Sequence, residues 1–288
     1  DTACVVIHLF ATSRHGLQQG FVHTDDSYAY PEVDPARNIS SQVISDQAIR
    51  FLDQKNAARG AEGGATPWML WLHYFDPHED YMEHPGLGAD FVTSGERGPA
   101  QVYGDLYDGE VRYTDLHVGR VLARLEELGF AANTLVVLVA DHGEEFFEHG
   151  AAGHGHSMHR EVVRVPLVIR APGCAPARVN ETVRQIDVLP TVLELVGLPS
   201  AAGLPGRSLV PALRGQELAE VGALSELANG AFHLDSWQRG RFKLIRDGQG
   251  GARLYDLTSD PLELSDVAAQ HASELAALFR FLDRQFFG

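Results

Sequence analysis

The stretch "NTLVVLVADHGEEFFEHG", residues 133–150, joins a continuous apolar run to a cluster of carboxylate and imidazole side chains. Residues 135–140 are all apolar, which is typical of a strand covered on both faces in a parallel sheet. Asp141 and His142 follow this run directly. Because ligands of open α/β sheets bind at the carboxyl ends of strands, these two residues are candidates for a functional site.

The first 215 residues alternate between strand-like and helix-like segments. Short apolar runs predict buried strands at residues 3–10, 67–75, 133–140 and 165–171. Apolar residues at helical spacing predict helices at residues 40–54, 105–129 and 186–197. Ser40 is the expected N-terminal cap of the first helix. This alternation predicts an α/β sandwich with a largely parallel sheet.

The pattern changes after residue 215. Short segments separated by Gly or Asp predict four antiparallel strands at residues 221–227, 231–238, 241–247 and 252–257. Residues 273–287 predict a final helix that packs on them. We therefore expect a main α/β domain at residues 1–215 and a small antiparallel subdomain at residues 216–288.

The composition excludes some classes of partner and site. The formal net charge is −16, with 39 acidic against 23 basic residues, so we expect no nucleic-acid partner. Cys4 and Cys174 are too few for a disulfide framework or a cysteine-type zinc site. The sequence has no 18-residue apolar run and no signal peptide, and it opens directly in a predicted strand. Such an opening is expected of a cut inside a larger domain.

The residue types after the apolar run suit a metal site. A carboxylate beside an imidazole just past a strand end can bind one divalent cation, and Gly143 would let the chain turn away sharply. Asp141 could instead cap a helix or turn, and the pair alone does not decide between these alternatives.

Histidines occur in two further segments that belong near strand ends. His73 and His78 follow the predicted strand at 67–75, and a Gly-rich loop carries His149, His154, His156 and His159. A single histidine is more often a surface or structural residue than a ligand. Because all these segments are predicted to meet at one sheet edge, together they favour a site for a metal and an anionic substrate.

Seven segments, taken in chain order, resemble the sulfatases of the alkaline-phosphatase-like superfamily. They are "ATSRHGLQQGF", "LHYFDPHEDY", "YDGEVRYTDLHVGRVLARLEELG", "NTLVVLVADHGEEFFEHG", "GHGHSMHREVVRVPLVIRAPG", "IDVLPTVLELVGLP" and "GRFKLI…LYDLTSDPLELSDVA". The resemblance covers nearly the whole chain, and it implies an alkaline-phosphatase-like α/β/α sandwich with a small C-terminal antiparallel sheet and helix.

The resemblance also implies a role for each candidate residue. Asp141 and His142 match two metal ligands. His78 and His154 match catalytic residues that contact the transferred group and the leaving oxygen. His73 matches an additional substrate-binding histidine of phosphoethanolamine transferases, and His156 is a further substrate-binding candidate from the same loop as His154. The implied cofactor is one divalent metal ion, with Ca²⁺ first and Mn²⁺, Mg²⁺ or Zn²⁺ as alternatives.

The implied activity of the intact protein is hydrolysis of a sulfate ester of a small molecule or glycan. Two alternatives stay open. One is phosphoryl chemistry on the same scaffold: a phosphodiesterase, a phosphonate monoesterase, or a phosphoethanolamine or phosphoglycerol transferase. The other is an inactive, anion-binding fragment. A periplasmic, secreted or membrane-anchored location is favoured over a cytoplasmic one.

The sequence Cys174-Ala-Pro-Ala-Arg178 imitates the C-x-P-x-R pattern in which sulfatases form their formylglycine nucleophile. In that family the pattern precedes the Asp-His-Gly segment, whereas Cys174 follows Asp141 by 33 residues. We therefore interpret it as a coincidence in a loop rich in Pro and Arg. The formylglycine and the remaining metal ligands are expected upstream of Asp1, so this chain alone should be inactive.

Several acidic residues have simpler interpretations. Asp108, Glu110 and Asp115 on the long predicted helix are expected to form its solvated or capping face. Glu144 and Glu145 either orient the metal pair or are solvated charges, and the sequence does not decide which.

Overall fold

The computed structural model describes residues 1–6, 11–27, 40–59, 66–84, 86–87, 97–230 and 232–287. They form two compact units, Asp1–Thr134 and Leu135–Gly288. Residues 7–10 of the first predicted strand lie outside the described residues. None of the described helices contains an apolar stretch of the length that spanning a membrane requires.

The first unit contains a parallel sheet and two long helices. The strands are β1 (Thr2–Val5), β2 (His23–Asp25) and β3 (Met69–Leu72), in the order β2-β1-β3 and parallel throughout. The helices are α1 (Ser41–Arg59) and α2 (Pro99–Glu127). The predicted strands at 3–10 and 67–75, as far as they are described, and the predicted helices at 40–54 and 105–129 are confirmed.

Asp76, and not a serine hydroxyl, caps the N-terminus of α1. Its buried carboxylate accepts hydrogen bonds from the backbone N–H groups of Ser40 and Ser41, both at 2.6 Å. The hydroxyl of Ser40 donates to the same carboxylate at 2.9 Å. A carboxylate at a helix N-terminus satisfies free N–H groups and complements the helix dipole. Ser40 therefore occupies the predicted N-cap position, where its carbonyl oxygen accepts the N–H of Ile44, while Asp76 supplies the acceptor for the free N–H groups.

The second unit begins with a two-stranded sheet. Its strands are β4 (Val136–Val139) and β7 (Leu167–Arg170), which pair antiparallel, with Val136 beside Arg170. Both strands were predicted. The expectation that β4 is covered on both faces is not met, since Leu138 is 40% exposed and Val139 is 42% exposed. Among the described residues β4 pairs with β7 alone.

Short elements connect this sheet to the C-terminal region. They are β5 (Glu145–Phe146), β6 (Ala152–Gly153), α3 (Arg160–Val163), α4 (Val188–Leu195) and α5 (Val210–Leu213). Helix α4 confirms the helix predicted at 186–197, and the 3₁₀ turn Gln185–Asp187 precedes it directly.

The C-terminal sheet has the predicted four antiparallel strands. They are β8 (Ala223–Asn229), β9 (Phe232–Arg239), β10 (Phe242–Asp247) and β11 (Ala252–Asp256), in the order β11-β10-β9-β8. Helix α6 (Ala272–Phe287) follows, also as predicted. The boundary predicted between residues 215 and 216 stays a prediction.

The two faces of this sheet bury different partners, since side chains alternate along a strand. Leu244 and Leu254 face α6 and pack with Leu278 and Leu282. Ile245 and Tyr255, the next residues along the same strands, face the other way. They pack with Met158 from the segment that carries the histidines. The sheet therefore supports that segment directly.

Candidate active site

Asp141 and His142 occupy the turn just past the carboxyl end of β4. The Asp141 side chain is 78% exposed, and its Oδ1 accepts the backbone N–H of His142 at 2.9 Å. Nδ1 of His142 lies 2.9 Å from the carbonyl oxygen of Gly143. Since a carbonyl can only accept, Nδ1 carries the proton in this contact, and Nε2 keeps its lone pair in the neutral ring.

Gly143 is required by close packing of the main chain. Its N–H donates to the carbonyl oxygen of Val162 at 2.7 Å. A Cβ atom at this position would lie only 2.0 Å from the carbonyl oxygen of Glu161. The Asp-His-Gly turn is therefore pressed against the end of α3, which fixes its direction.

Gln185 holds the same turn from the other side. Its side-chain amide donates to the carbonyl oxygens of Ala140 and Asp141, at 2.8 and 2.6 Å. The 3₁₀ turn that carries Gln185 is anchored by Asp187, which is fully buried and bound by Arg184. The backbone at Asp141 is thus held by two hydrogen bonds from a single side chain.

Hairpin pairing brings His154 to His142. Glu145 on β5 pairs with Gly153 on β6, which places Glu144 and His154 side by side. The buried carboxylate of Glu144 accepts a hydrogen bond from Nδ1 of His154 at 2.9 Å. The ring centroids of His154 and His142 are 4.1 Å apart. Three of the predicted site residues, Asp141, His142 and His154, therefore lie together.

The remaining histidines of this segment have acidic neighbours. We call residues 148–160 the histidine loop. Nε2 of His156 lies 3.6 Å from Oε2 of the buried Glu145. His149 and His159 stack with parallel rings, their centroids 3.5 Å apart. The contact of His156 with Glu145 therefore ties the histidine loop to β5, and the stacking of His149 on His159 ties the loop to itself.

His73 and His78 lie in the first unit, where β3 ends. The backbone N–H of His73 donates to the carbonyl oxygen of Val5 at 3.0 Å, which continues the parallel pairing by one residue. His78 follows the turn that contains Asp76, and its ring stacks on Phe75 at 4.3 Å between centroids. Both histidines thus follow a strand end of the parallel sheet, as predicted. Their meeting with Asp141 stays a prediction.

The donor set at the β4 end fits part of a metal site. Asp141 offers exposed carboxylate oxygens and His142 an imidazole nitrogen with a lone pair, and both are ordinary ligands of divalent cations. Within the described residues, no group of three or more His, Cys, Asp or Glu side chains is arranged to hold a metal ion. The pair supplies two of the donors that a divalent cation needs.

Cys174 lies at the wrong end of its sheet for chemistry at Asp141. The antiparallel register puts the end of β7 beside Val136, at the start of β4. Cys174 follows that end, in a turn closed by its N–H bond to Ala171. Since Asp141 follows the opposite end of β4, the placement agrees with the interpretation of the C-x-P-x-R pattern as a coincidence.

Glu110 is the clearest error of the sequence interpretation. It was expected on a solvated face, but it is 2% exposed. Its carboxylate contacts Nε2 of His84 at 2.6 Å and accepts the backbone N–H of Met82 at 2.6 Å. Burial raises the pKa of Glu110, and the contacts with His84 and Met82 oppose this shift. Asp108 and Asp115 are exposed, as expected.

The sequence interpretation also missed the residues that orient the site. Gln185 carried no signal, because an amide after a turn has no distinctive pattern. Glu144 was left undecided, and the structure assigns it to His154. A carboxylate ten residues before a histidine becomes informative only once the β5–β6 hairpin is known.

The parallel sheet, the antiparallel C-terminal sheet and the site past β4 define a domain of the alkaline-phosphatase-like fold. A solved structure of a 2-O GAG sulfatase superposes with a TM-score of 0.75 at 20% identity, covering 98% of this chain and 71% of that one. The chain belongs to the sulfatase family. The model described as "Sulfatase" matches residues 9–198, and the model described as "N-sulphoglucosamine sulphohydrolase, C-terminal" matches residues 148–285.

Curated relatives are sulfatases of longer chain length. Steryl-sulfatase of Mus musculus is 33% identical over 214 residues, which cover 68% of this chain and 31% of the relative. Choline-sulfatase of Rhizobium meliloti (strain 1021) is 30% identical over 272 residues, covering 80% of this chain and 52% of the relative. The chain thus spans 31% of the first relative and 52% of the second.

Proposed function

We propose that the whole protein is a metal-dependent sulfuric ester hydrolase, and that this chain supplies part of its active site. Membership of the sulfatase family supports the reaction class. In the net reaction a water oxygen adds to sulfur, the bond from sulfur to the ester oxygen breaks, and the alcohol leaves with a proton.

The observation that carries the proposal is the contact between His142 and His154. A ring spacing of 4.1 Å brings a proposed metal ligand next to a proposed proton donor. Glu144 holds Nδ1 of His154, so Nε2 is the nitrogen that can donate to a substrate oxygen. Protonation of the leaving oxygen by a positioned imidazole is effective near neutral pH.

Asp141 and His142 would hold a divalent metal ion, and we propose Ca²⁺ ahead of Mn²⁺, Mg²⁺ or Zn²⁺ because the resemblance to the sulfatases implies it. When bound, such an ion stabilises negative charge on the transferred group. His73 and His78 are proposed to bind the anion from the first unit. Formylglycine, in a segment outside this chain, stays the predicted nucleophile.

We propose that the substrate is a sulfate ester of a small molecule or glycan. The relatives include a steryl-sulfatase and a choline-sulfatase. The structure of one similar protein was solved in complex with its substrate, D-glucosamine-2-N,6-O-disulfate. His156 is the weaker candidate for anion binding, because both of its ring nitrogens lie near acceptor oxygens: Nδ1 near the carbonyl oxygen of His154 and Nε2 near the carboxylate of Glu145. A periplasmic, secreted or membrane-anchored location also stays a prediction.

A pair of matched substrates tests the proposal. The whole protein is assayed with an aryl sulfate, an aryl phosphate diester and an aryl phosphonate monoester of the same leaving group, with and without a chelator. The proposal predicts chelator-sensitive turnover that is fastest with the sulfate. Faster turnover of either phosphorus ester would assign the protein to phosphoryl chemistry, and no turnover of any of them would favour an anion-binding role.

A further inference from the structure

An ion pair inside the C-terminal region is almost completely removed from solvent. Lys243 on β10 donates from Nζ to both carboxylate oxygens of Glu263, at 2.8 and 2.9 Å. Each side chain is 1% exposed. Glu263 also has a φ of 57°, which is uncommon for a residue with a Cβ atom. The pair is thus held in place despite costs in solvation and in backbone conformation.

The same carboxylate binds the histidine loop. Oε2 of Glu263 accepts hydrogen bonds from Nδ1 of His159 at 3.2 Å and from the backbone N–H of Arg160 at 3.1 Å. Burial alone would raise the pKa of Glu263, but the hydrogen bond from His159 and the charge of Lys243 lower it. The carboxylate therefore stays ionised at neutral pH, as an acceptor that faces the sheet and the loop at once.

From His159 the contacts continue into the loop. Its ring stacks on His149, whose backbone N–H donates to Oε1 of Glu145 at 3.2 Å. Glu145 lies on β5, which with β6 forms the hairpin that sets Glu144 beside His154. A chain of direct contacts thus runs from the C-terminal sheet to the hairpin that carries His154.

Stability alone does not explain this arrangement. A buried ion pair contributes little net stability, and an apolar pair of the same size often serves as well or better. Met158 already attaches the loop to the sheet through apolar contacts with Leu234, Ile245 and Tyr255. What Glu263 adds is a directional acceptor for two donors of the loop.

We propose that Lys243 and Glu263 are positioning residues: they fix the histidine loop, and through it the orientation of His154. This inference rests on the proposed function for its effect on turnover. Lys243 holds the carboxylate in place from β10, and the carboxylate orients His159 and the first turn of α3. The C-terminal sheet is then part of the apparatus that aligns the site.

Three variants of the whole protein separate positioning from stability. Glu263→Gln leaves the Lys243 charge buried without its partner, so it should lower Tm by on the order of 10 °C. The double variant Lys243→Met with Glu263→Met removes both charges at similar volume and should raise Tm well above that of Glu263→Gln. It still lacks the acceptor for His159 and Arg160. Asp235→Asn breaks the ion pair that Arg246 makes with Asp235 in the same sheet, and it is the control.

Turnover and hydrogen exchange are then compared across these variants. We expect kcat of the double variant to stay about tenfold to a hundredfold below wild type with KM little changed, because a misplacement of about 1 Å costs up to a hundredfold. Amide hydrogens of residues 148–160 should exchange faster than in the wild-type protein in both Glu263 variants. In Asp235→Asn their exchange rates should be unchanged. Recovery of kcat together with Tm in the double variant would overturn the inference.

The exchange experiment also separates the two proposals. If the wild-type protein turns over no sulfate ester, the proposed function fails, and exchange in the histidine loop still tests the positioning role. Unchanged exchange at residues 148–160 in the double variant would then overturn that role.

Discussion

A methyl group added at Gly143 would collide with the main chain next to the proposed site. The new Cβ atom of Gly143→Ala would lie 2.0 Å from the carbonyl oxygen of Glu161, whereas ordinary contact begins at 3.4 Å. One of the two backbone segments must therefore move by about 1.4 Å, the difference between these distances. The movement also strains the hydrogen bond of 2.7 Å from Gly143 to Val162.

This movement should lower both the free energy of unfolding and kcat. Overpacking of this kind costs about 1–3 kcal/mol of the free energy of unfolding, and the weakened hydrogen bond adds about 1 kcal/mol. The displaced turn also carries Asp141 and His142. Because a misplacement of about 1 Å can cost a hundredfold in rate, we expect kcat for a sulfate ester to fall by about that factor.

Gly119→Ala is the matched control for this experiment. A Cβ at Gly119, within α2, meets no atom within 4 Å. The same added methyl should there stabilise the helix by about 0.5–1 kcal/mol. Urea unfolding and steady-state kinetics of both variants of the whole protein give the comparison. Equal urea midpoints for Gly143→Ala and Gly119→Ala would refute the close packing that we describe.

Three further predictions concern pH, metal affinity and Cys174. The pKa of Glu263 is lowered from 4.5 in the folded state. Between that lowered value and 4.5 the unfolded chain binds more protons than the folded chain, so the free energy of unfolding should decrease as the pH is lowered through this window. Urea midpoints measured against pH should show this decrease in the wild-type protein and a smaller one in Glu263→Gln. Gln185→Leu removes two hydrogen bonds to the backbone at Ala140 and Asp141. Calorimetry should show a Kd for Ca²⁺ about tenfold higher than in the wild-type protein. An unchanged Kd would contradict the role of Gln185. Cys174→Ala should leave kcat within about twofold of wild type, and a large loss in the same assay would identify Cys174 as the nucleophile.

Local patterns were enough to predict most elements of the fold. The strands β8 to β11 and helix α6 were predicted because turn residues and apolar spacing both lie within short windows of sequence. The antiparallel pairing of β4 with β7 was not foreseen, since both strands are short apolar runs and strand direction leaves no mark on such a run. The exposure of β4 likewise depends on which segments cover it.

The candidate site was predictable to the extent that its residues share a motif. Asp141, His142 and His154 were identified from their position after a strand and in a Gly-rich loop, and the structure brings them together. The residues that orient them were not identifiable, because their partners are distant in sequence. Gln185 lies 44 positions from Asp141, whose carbonyl oxygen it binds. The burial of Glu110 was hidden for the same reason, because its partner His84 lies 26 positions away. A buried carboxylate and a solvated one look alike until those partners are known.

The most direct test of the account compares Asp141→Asn with Asp115→Asn in the whole protein. Both changes remove one charge from an exposed aspartate, and Asp115 lies on α2, where no ligand role is proposed. Sulfate release from an aryl sulfate and bound metal per chain are measured side by side. The account predicts that Asp141→Asn loses most of its bound metal and at least a hundredfold in kcat, by the loss of a metal ligand, while Asp115→Asn keeps both. Normal metal content and turnover in Asp141→Asn would contradict it.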